Sequence, residues 1–152
     1  MSPREVTYGR LTRKRLGKDP LDWRSVLRIF WICLGGAAGT AARYLMTGWL
    51  SRALGAGFPY GTLAVNVLGS FLLGVIMQAA PQTESFPPTL RLALTTGVLG
   101  GFTTYSSFNY ETLRLFQENA WLLGFVNLGV TVFACLAAGV LGMACGRLLA
   151  GN

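Results

Sequence analysis

The sequence predicts an all-α integral membrane protein of four transmembrane helices, the third broken near its middle. Three observations carry that expectation. The chain is 52% hydrophobic and only 12% charged, about half the charge of an ordinary soluble domain. Four apolar stretches run through residues 26–50, 58–80, 88–113 and 120–149. Each can supply the ~20 residues that cross ~30 Å of hydrocarbon. The third stretch contains Gly100-Gly-Phe-Thr-Thr-Tyr-Ser-Ser-Phe108. Backbone that leaves a helix at membrane depth survives only where protein buries it or it lines a cavity.

With 152 residues and mean hydropathy +0.47, little chain remains for a soluble domain. The organisation expected is a basic tail over residues 1–25 and a transmembrane domain over residues 26–150. Net charge is +7 and unevenly placed. Arg4, Arg10, Arg13, Lys14, Arg15, Lys18, Arg24 and Arg28 face only Glu5, Asp19 and Asp22 across the first 28 residues. Such a run reads as a disordered cytoplasmic tail drawn to anionic lipid. Nucleic acid is not expected as a partner, because no folded element accompanies the charge. Histidine is absent, which removes the commonest general base and metal ligand. Cys33, Cys135 and Cys145 all lie in apolar stretches and read as small buried hydrophobes. No catalytic constellation is visible, so an enzyme is not expected.

The first span opens after Asp22-Trp23-Arg24, an aromatic and charged interface. Gly36, Gly39, Thr40, Arg43 and Thr47 share one helical face, and Gly35 with Gly39 forms a small-xxx-small pair for close helix approach. The second span places Asn66, Gly69, Ser70, Leu73, Gly74 and Met77 on one face, opposite Leu, Val and Ile. Pro81, Pro87 and Pro88 mark a loop, and Pro88 suits a first helical turn. The third span breaks around residues 100–104 and resumes through Phe108 and Glu111. The fourth carries Gly124, Asn127, Thr131, Cys135, Ala138 and Gly142 on one stripe. Every span has a small or polar face that wants a partner, so at least a dimer is expected.

Several side chains can handle a small ion. Arg43 either snorkels to the interface or lines an anion-attracting vestibule. Asn66 makes an interhelical hydrogen bond or offers amide N–H groups to an anion. Tyr105 and Phe108, three apart, present rings whose positive edges stabilise an anion weakly, beside the hydroxyls of Thr104, Ser106 and Ser107. Unwound backbone at Gly100, Gly101, Thr103 and Thr104 exposes carbonyls that suit a hard cation, or water satisfies a simple kink there. Glu111 lies at a pore mouth or at the interface.

With those residues in hand, the chain resembles the Fluc/CrcB fluoride channel family over about residues 26–149. The matching motifs are Gly35-Gly-Ala-Ala-Gly39 with Arg43-Tyr44, Gly61-Thr-Leu-Ala-Val-Asn66-Val-Leu-Gly69-Ser70, the Gly100–Phe108 run, and Asn127 in a small-residue fourth span. The resemblance implies an antiparallel dual-topology homodimer in the inner cell membrane, a multi-pass protein that passes fluoride passively out of the cytoplasm. It implies a structural Na+ held by backbone carbonyls of Gly100 and Thr103 from both subunits. Asn66, Tyr105 and Phe108 would line the fluoride path, with Ser106, Ser107 and Thr131 as a hydroxyl track. Arg43 would lie at the vestibule and Glu111 near a pore end. Three departures stand out. Tyr105 replaces the usual Phe, Cys135 stands where Ser is common, and the basic tail favours one orientation.

Two other classes fit the chain's size. A four-helix multidrug/proton antiporter needs an acid in its first span, where this chain has Arg43. A non-conducting membrane subunit would use its polar faces for packing alone.

Overall fold

Asp22 sets the start of the first helix. Its Oδ1 accepts the Ser25 N–H at 2.7 Å, satisfying one of the donors that every helix N-terminus leaves open. The computed structural model describes residues 22–79 and 86–151, so the tail expected over residues 1–25 falls largely outside the described residues. From this cap α1 (Trp23–Leu54) runs for 32 residues and ends at Gly55, whose φ of 84° suits a residue without Cβ. α2 (Tyr60–Ala79) follows a short loop. α6 (Trp121–Ala150) closes the chain and terminates at Gly151 in the left-handed region.

The segment between α2 and α6 is made of pieces. α3 (Pro88–Leu92) begins with proline in its first turn. It widens into a π-helical segment, Ala93–Leu99, and tightens again for one turn in α4 (Gly100–Phe102). Thr103 and Thr104 are extended, and α5 (Tyr105–Gln117) starts anew with Thr104 as its cap. Among the described residues, three helices are therefore long and apolar enough to cross a membrane: α1, α2 and α6. The third apolar stretch is divided, and α5 is amphipathic, with Phe108, Thr112 and Leu115 buried on one side.

Glycine determines how closely these elements pack. A Cβ on Gly39 would collide with the Val98 carbonyl, and one on Gly35 would lie 2.6 Å from the Ala93 oxygen. From the other side, a Cβ on Gly97 would lie 2.8 Å from the Ile32 oxygen, and one on Gly101 2.5 Å from the Gly36 oxygen. The small-xxx-small face of α1 thus meets the π segment and α4 backbone to backbone. The α2–α6 pair is built the same way, with Gly74 against Gly139 and Gly142 against Phe71. Val65, Leu99, Phe102, Phe108, Leu115 and Ala138 form the buried apolar core. The outer faces expose Phe30, Trp49, Phe125, Phe133 and Leu148, as expected of helices surrounded by hydrocarbon. Cys135 and Cys145 are half-buried, whereas Cys33 faces outward, contrary to its expected burial.

This packing separates two glycines of the same helix. Gly39→Ala is expected to destabilise the protein by about 1–3 kcal/mol, since the Val98 backbone cannot yield cheaply. Gly48→Ala, whose methyl would meet only the flexible end of Arg52 at 3.7 Å, is expected to change stability by less than about 0.5 kcal/mol. Unfolding of both variants in detergent checks the contrast.

Candidate ion pathway

The site is built around two residues of extended backbone. Thr103 has φ −84° and ψ 158°, and Thr104 has φ −153° and ψ 115°. In an unbroken helix the Thr104 N–H would bond the Gly100 carbonyl. Here it donates to Asn66 Oδ1 at 2.7 Å, and Asn66 Nδ2 donates back to the Thr104 carbonyl at 3.0 Å. Asn66 on α2 therefore replaces both helical partners of one residue. Arg43 on α1 treats the neighbouring turn likewise: its Nε donates to the Gly101 carbonyl at 3.0 Å, with Thr40 Oγ1 at 3.5 Å. The charge of Arg43 tethers the end of the helix.

The cap of α5 uses local hydroxyls. Thr104 Oγ1 accepts the Ser107 N–H at 3.2 Å and bonds Ser107 Oγ at 3.1 Å, with Ser106 Oγ at 3.2 Å. The Ser107 N–H is the donor that a continuous helix would give to the Thr103 carbonyl. The break thus strips the helical donors from four successive carbonyls, those of Gly100, Gly101, Phe102 and Thr103, of which Gly101 gains Arg43 and Thr40 instead. Carbonyl oxygens released in this way are ligands of the kind a hard cation takes. Gly100 is exposed and Thr103 half-buried on this single chain, so the oxygens are not sealed in its core.

Two cavities meet at the break. One of about 390 Å³ is lined by Asn66, Tyr105, Phe108 and Thr131, together with Ser70, Thr103 and Cys135. The rings of Tyr105 and Phe108 lie 5.8 Å apart at 56°. Phe108 is buried, while Tyr105 is 78% exposed. The second cavity, about 230 Å³, holds Arg43, Ser107 and Glu111 beside Thr62. Thr104 lines both. Glu111 Oε1 accepts from Thr62 Oγ1 at 2.9 Å, and Glu111 also lines a third cavity, about 310 Å³, next to the α1–α2 loop.

The expected site residues therefore fall into two groups joined at Thr104. Asn66, Tyr105, Phe108 and Thr131 face one cavity, and Arg43, Ser107 and Glu111 the other. Ser106 is exposed and lines neither. Sequence reasoning passed over Thr62, Thr112 and Asn127 as site residues. Thr62 lies one turn before Asn66 on the same face, a signal that the spacing offered. Thr112 and Asn127 are buried partners in a hydrogen-bond chain, and their pairing across the α5–α6 turn is visible only in three dimensions.

The comparisons with known proteins bear on this geometry. A family model described as CrcB-like protein, Camphor Resistance (CrcB), matches residues 30–143. The chain belongs to the CrcB family. A relative from Sorangium cellulosum (strain So ce56), named Fluoride-specific ion channel FluC, is 61% identical over 122 residues, 80% of this chain and 96% of that protein. A protein of the same name from Anaeromyxobacter dehalogenans (strain 2CP-1 / ATCC BAA-258) is 54% identical over 124 residues, 82% of this chain and 98% of that protein. Another, from Geobacter sp. (strain M21), is 45% identical over 122 residues, 80% of this chain and 98% of that protein. The CrcB match includes every site residue from Arg43 to Thr131, and with its apolar helices the chain is a multi-pass membrane protein.

Asn66→Leu tests the backbone clamp in this CrcB chain. Two backbone groups of the buried Thr104 lose their partners, and stability is expected to fall by about 2–4 kcal/mol. Unfolding in detergent, compared with wild type, reads the loss.

Proposed function

We propose that this CrcB protein is a passive, fluoride-selective channel of the inner cell membrane, not an enzyme, and that it relieves fluoride toxicity by letting the ion leave the cytoplasm. The single observation that carries the proposal is the 390 Å³ cavity, where the Asn66 amide, the Tyr105 and Phe108 rings and the Thr131 hydroxyl converge beside a helix break, in a family whose relatives carry the fluoride channel name. One Asn66 Nδ2 hydrogen is engaged by Thr104. The other remains to meet an anion. Ring edges and hydroxyls attract without trapping, as conduction requires. On the far side of Thr104, the Arg43 guanidinium draws anions toward the route.

In this proposal the pieces from Pro88 to Gln117 together form the third of four crossings, a single span broken at Thr103–Thr104. A second copy, antiparallel to the first, would cover the exposed Tyr105 and Gly100 and complete the walls of two pores. The tail of residues 1–25 and the lipid-facing helices complete the membrane partnership. Gly100 and Thr103 would hold a structural Na+ through their carbonyls, supplying positive charge where two chains meet. The fit rests on the donors that Asn66 and Thr104 withdraw from those carbonyls. Fluoride that enters as neutral HF from acid surroundings dissociates in the cytoplasm, so a passive exit route suffices. Tyr105 in place of the usual Phe keeps the positive ring edge and adds a hydroxyl that can also bond the ion.

Efflux from liposomes tests the proposal, read with a fluoride electrode against chloride-loaded controls. Wild type is expected to release fluoride and retain chloride. Asn66→Asp puts a negative charge on the route, worth about 4 kcal/mol at 4 Å and an effective dielectric of about 20. That corresponds to about three orders of magnitude in rate. Lost flux with an intact dimer is the expected outcome, and unchanged flux removes Asn66 from the path.

A further inference from the structure

Five hydroxyls among the described residues share one habit, and Thr131 departs from it. Thr47, Ser70, Thr95, Thr103 and Thr112 each donate to the backbone carbonyl one turn below, at 2.7–3.0 Å. This is the usual resting place of a helical Ser or Thr hydrogen. Thr131 instead donates to the side-chain Oδ1 of Asn127, at 3.4 Å, near the outer limit of a hydrogen bond.

The direction of that bond is imposed from further back. The Phe108 carbonyl can only accept, so Thr112 Oγ1 must donate to it, at 2.7 Å. Thr112 then has only lone pairs left for Asn127, and Asn127 Nδ2 donates to it at 2.8 Å. That fixes the amide with Oδ1 toward Thr131, because the flipped amide would set oxygen against oxygen. Thr131 is therefore the donor at the end of the chain. Asn127 is 1% exposed and lies behind the wall, whereas Thr131 lines the 390 Å³ cavity. Of the other hydroxyls lining that cavity, that of Tyr105 stands at the end of a ring that is 78% exposed, and Ser70, Thr95 and Thr103 have committed their hydrogens to helix carbonyls. Thr104 bonds the hydroxyls of Ser106 and Ser107 at 3.1–3.2 Å.

We propose that Asn127 is a positioning residue for fluoride passage: it keeps the Thr131 hydroxyl hydrogen off the helix backbone and free to turn toward an anion at the cavity wall. The inference rests on the channel reading above and names a group within it. Rotation about one C–O bond moves the hydrogen from Oδ1 to the ion. It exchanges a long, weak bond for a charge-assisted one. When the ion moves on, the hydroxyl returns to Asn127, so no buried donor is left unpaired at either stage. A group that gives up little to bind and has a partner to return to suits a site that must also release.

The test is a double-mutant cycle on fluoride efflux from liposomes. Thr131→Val removes the hydroxyl. Asn127→Leu keeps similar bulk and leaves the Thr112–Phe108 bond in place, but lets the Thr131 hydroxyl fall back onto the carbonyl of residue 127. Each is expected to slow efflux about tenfold, the worth of about one hydrogen bond in the barrier. The double variant is expected to be no slower than either single, because both act through one hydroxyl. Thr131→Ser, which retains the donor, should stay within about twofold of wild type. Elution and unfolding in detergent are measured alongside. Multiplying effects, about a hundredfold in the double, overturn the proposal. So does unchanged efflux in Thr131→Val, whether or not Asn127→Leu folds. Wild type that passes no fluoride overturns the channel reading and this inference together, whereas fluoride flux with multiplying effects overturns this one alone.

Discussion

Two residues of extended backbone, Thr103 and Thr104, govern the rest of the structure. In apolar surroundings a peptide group without a partner costs several kcal/mol, so a break of this kind has to be met by side chains reaching in from other helices. Asn66 meets it at Thr104 with a donor and an acceptor. Arg43 meets it at Gly101, where a cation has the added advantage of facing the negative end of the helix that stops there. A residue that looks costly at membrane depth is thereby matched to a demand that arises only there. The same two side chains, held by the break, border the two cavities on either side of it.

Close helix packing makes this reach possible. Asn66 is short relative to ordinary interhelical distances, and glycine brings the helices near enough for it to reach. Gly35 and Gly39 seat α1 on the backbone of the π segment, and Gly69 leaves room for the methyl of Thr103. The π segment in turn adds width where α1 presses against it. Packing without bulky side chains leaves the polar groups to specify the arrangement, and nearly all of them bond across helices or back onto their own.

The all-helical fold was legible in the sequence because it leaves a local trace. Hydropathy marks the apolar stretches, and glycines followed by hydroxyls mark a helix that cannot continue. The direction of side chains was not legible. Asn66 read equally as an interhelical bond or an anion ligand, and the structure shows that its first commitment is to Thr104. Ser106 and Ser107 are adjacent in sequence and read as one track, yet only Ser107 faces a cavity, since consecutive residues point about 100° apart on a helix. Thr62 and Glu111 meet across 49 residues, and Asn127 and Thr112 across 15. Such pairings are set by how the helices dock, which no local pattern records. Cys33, read as buried, faces outward because α1 turns only its glycine face to the protein.

Membership of the CrcB family and the geometry of the break point the same way. In the proposed channel the polar groups around the break handle the ion, and the backbone clamp by Asn66 holds their arrangement together. Residue-resolved amide hydrogen exchange at Thr104, in bilayer or detergent, tests this most directly. With the clamp in place, the Thr104 N–H exchanges as slowly as amides inside α5, although it belongs to no helix, and Asn66→Leu speeds its exchange while that of Thr112 is unchanged. Rapid exchange at Thr104 in the wild-type protein would contradict the clamp, and with it the structural basis assigned here to the pathway.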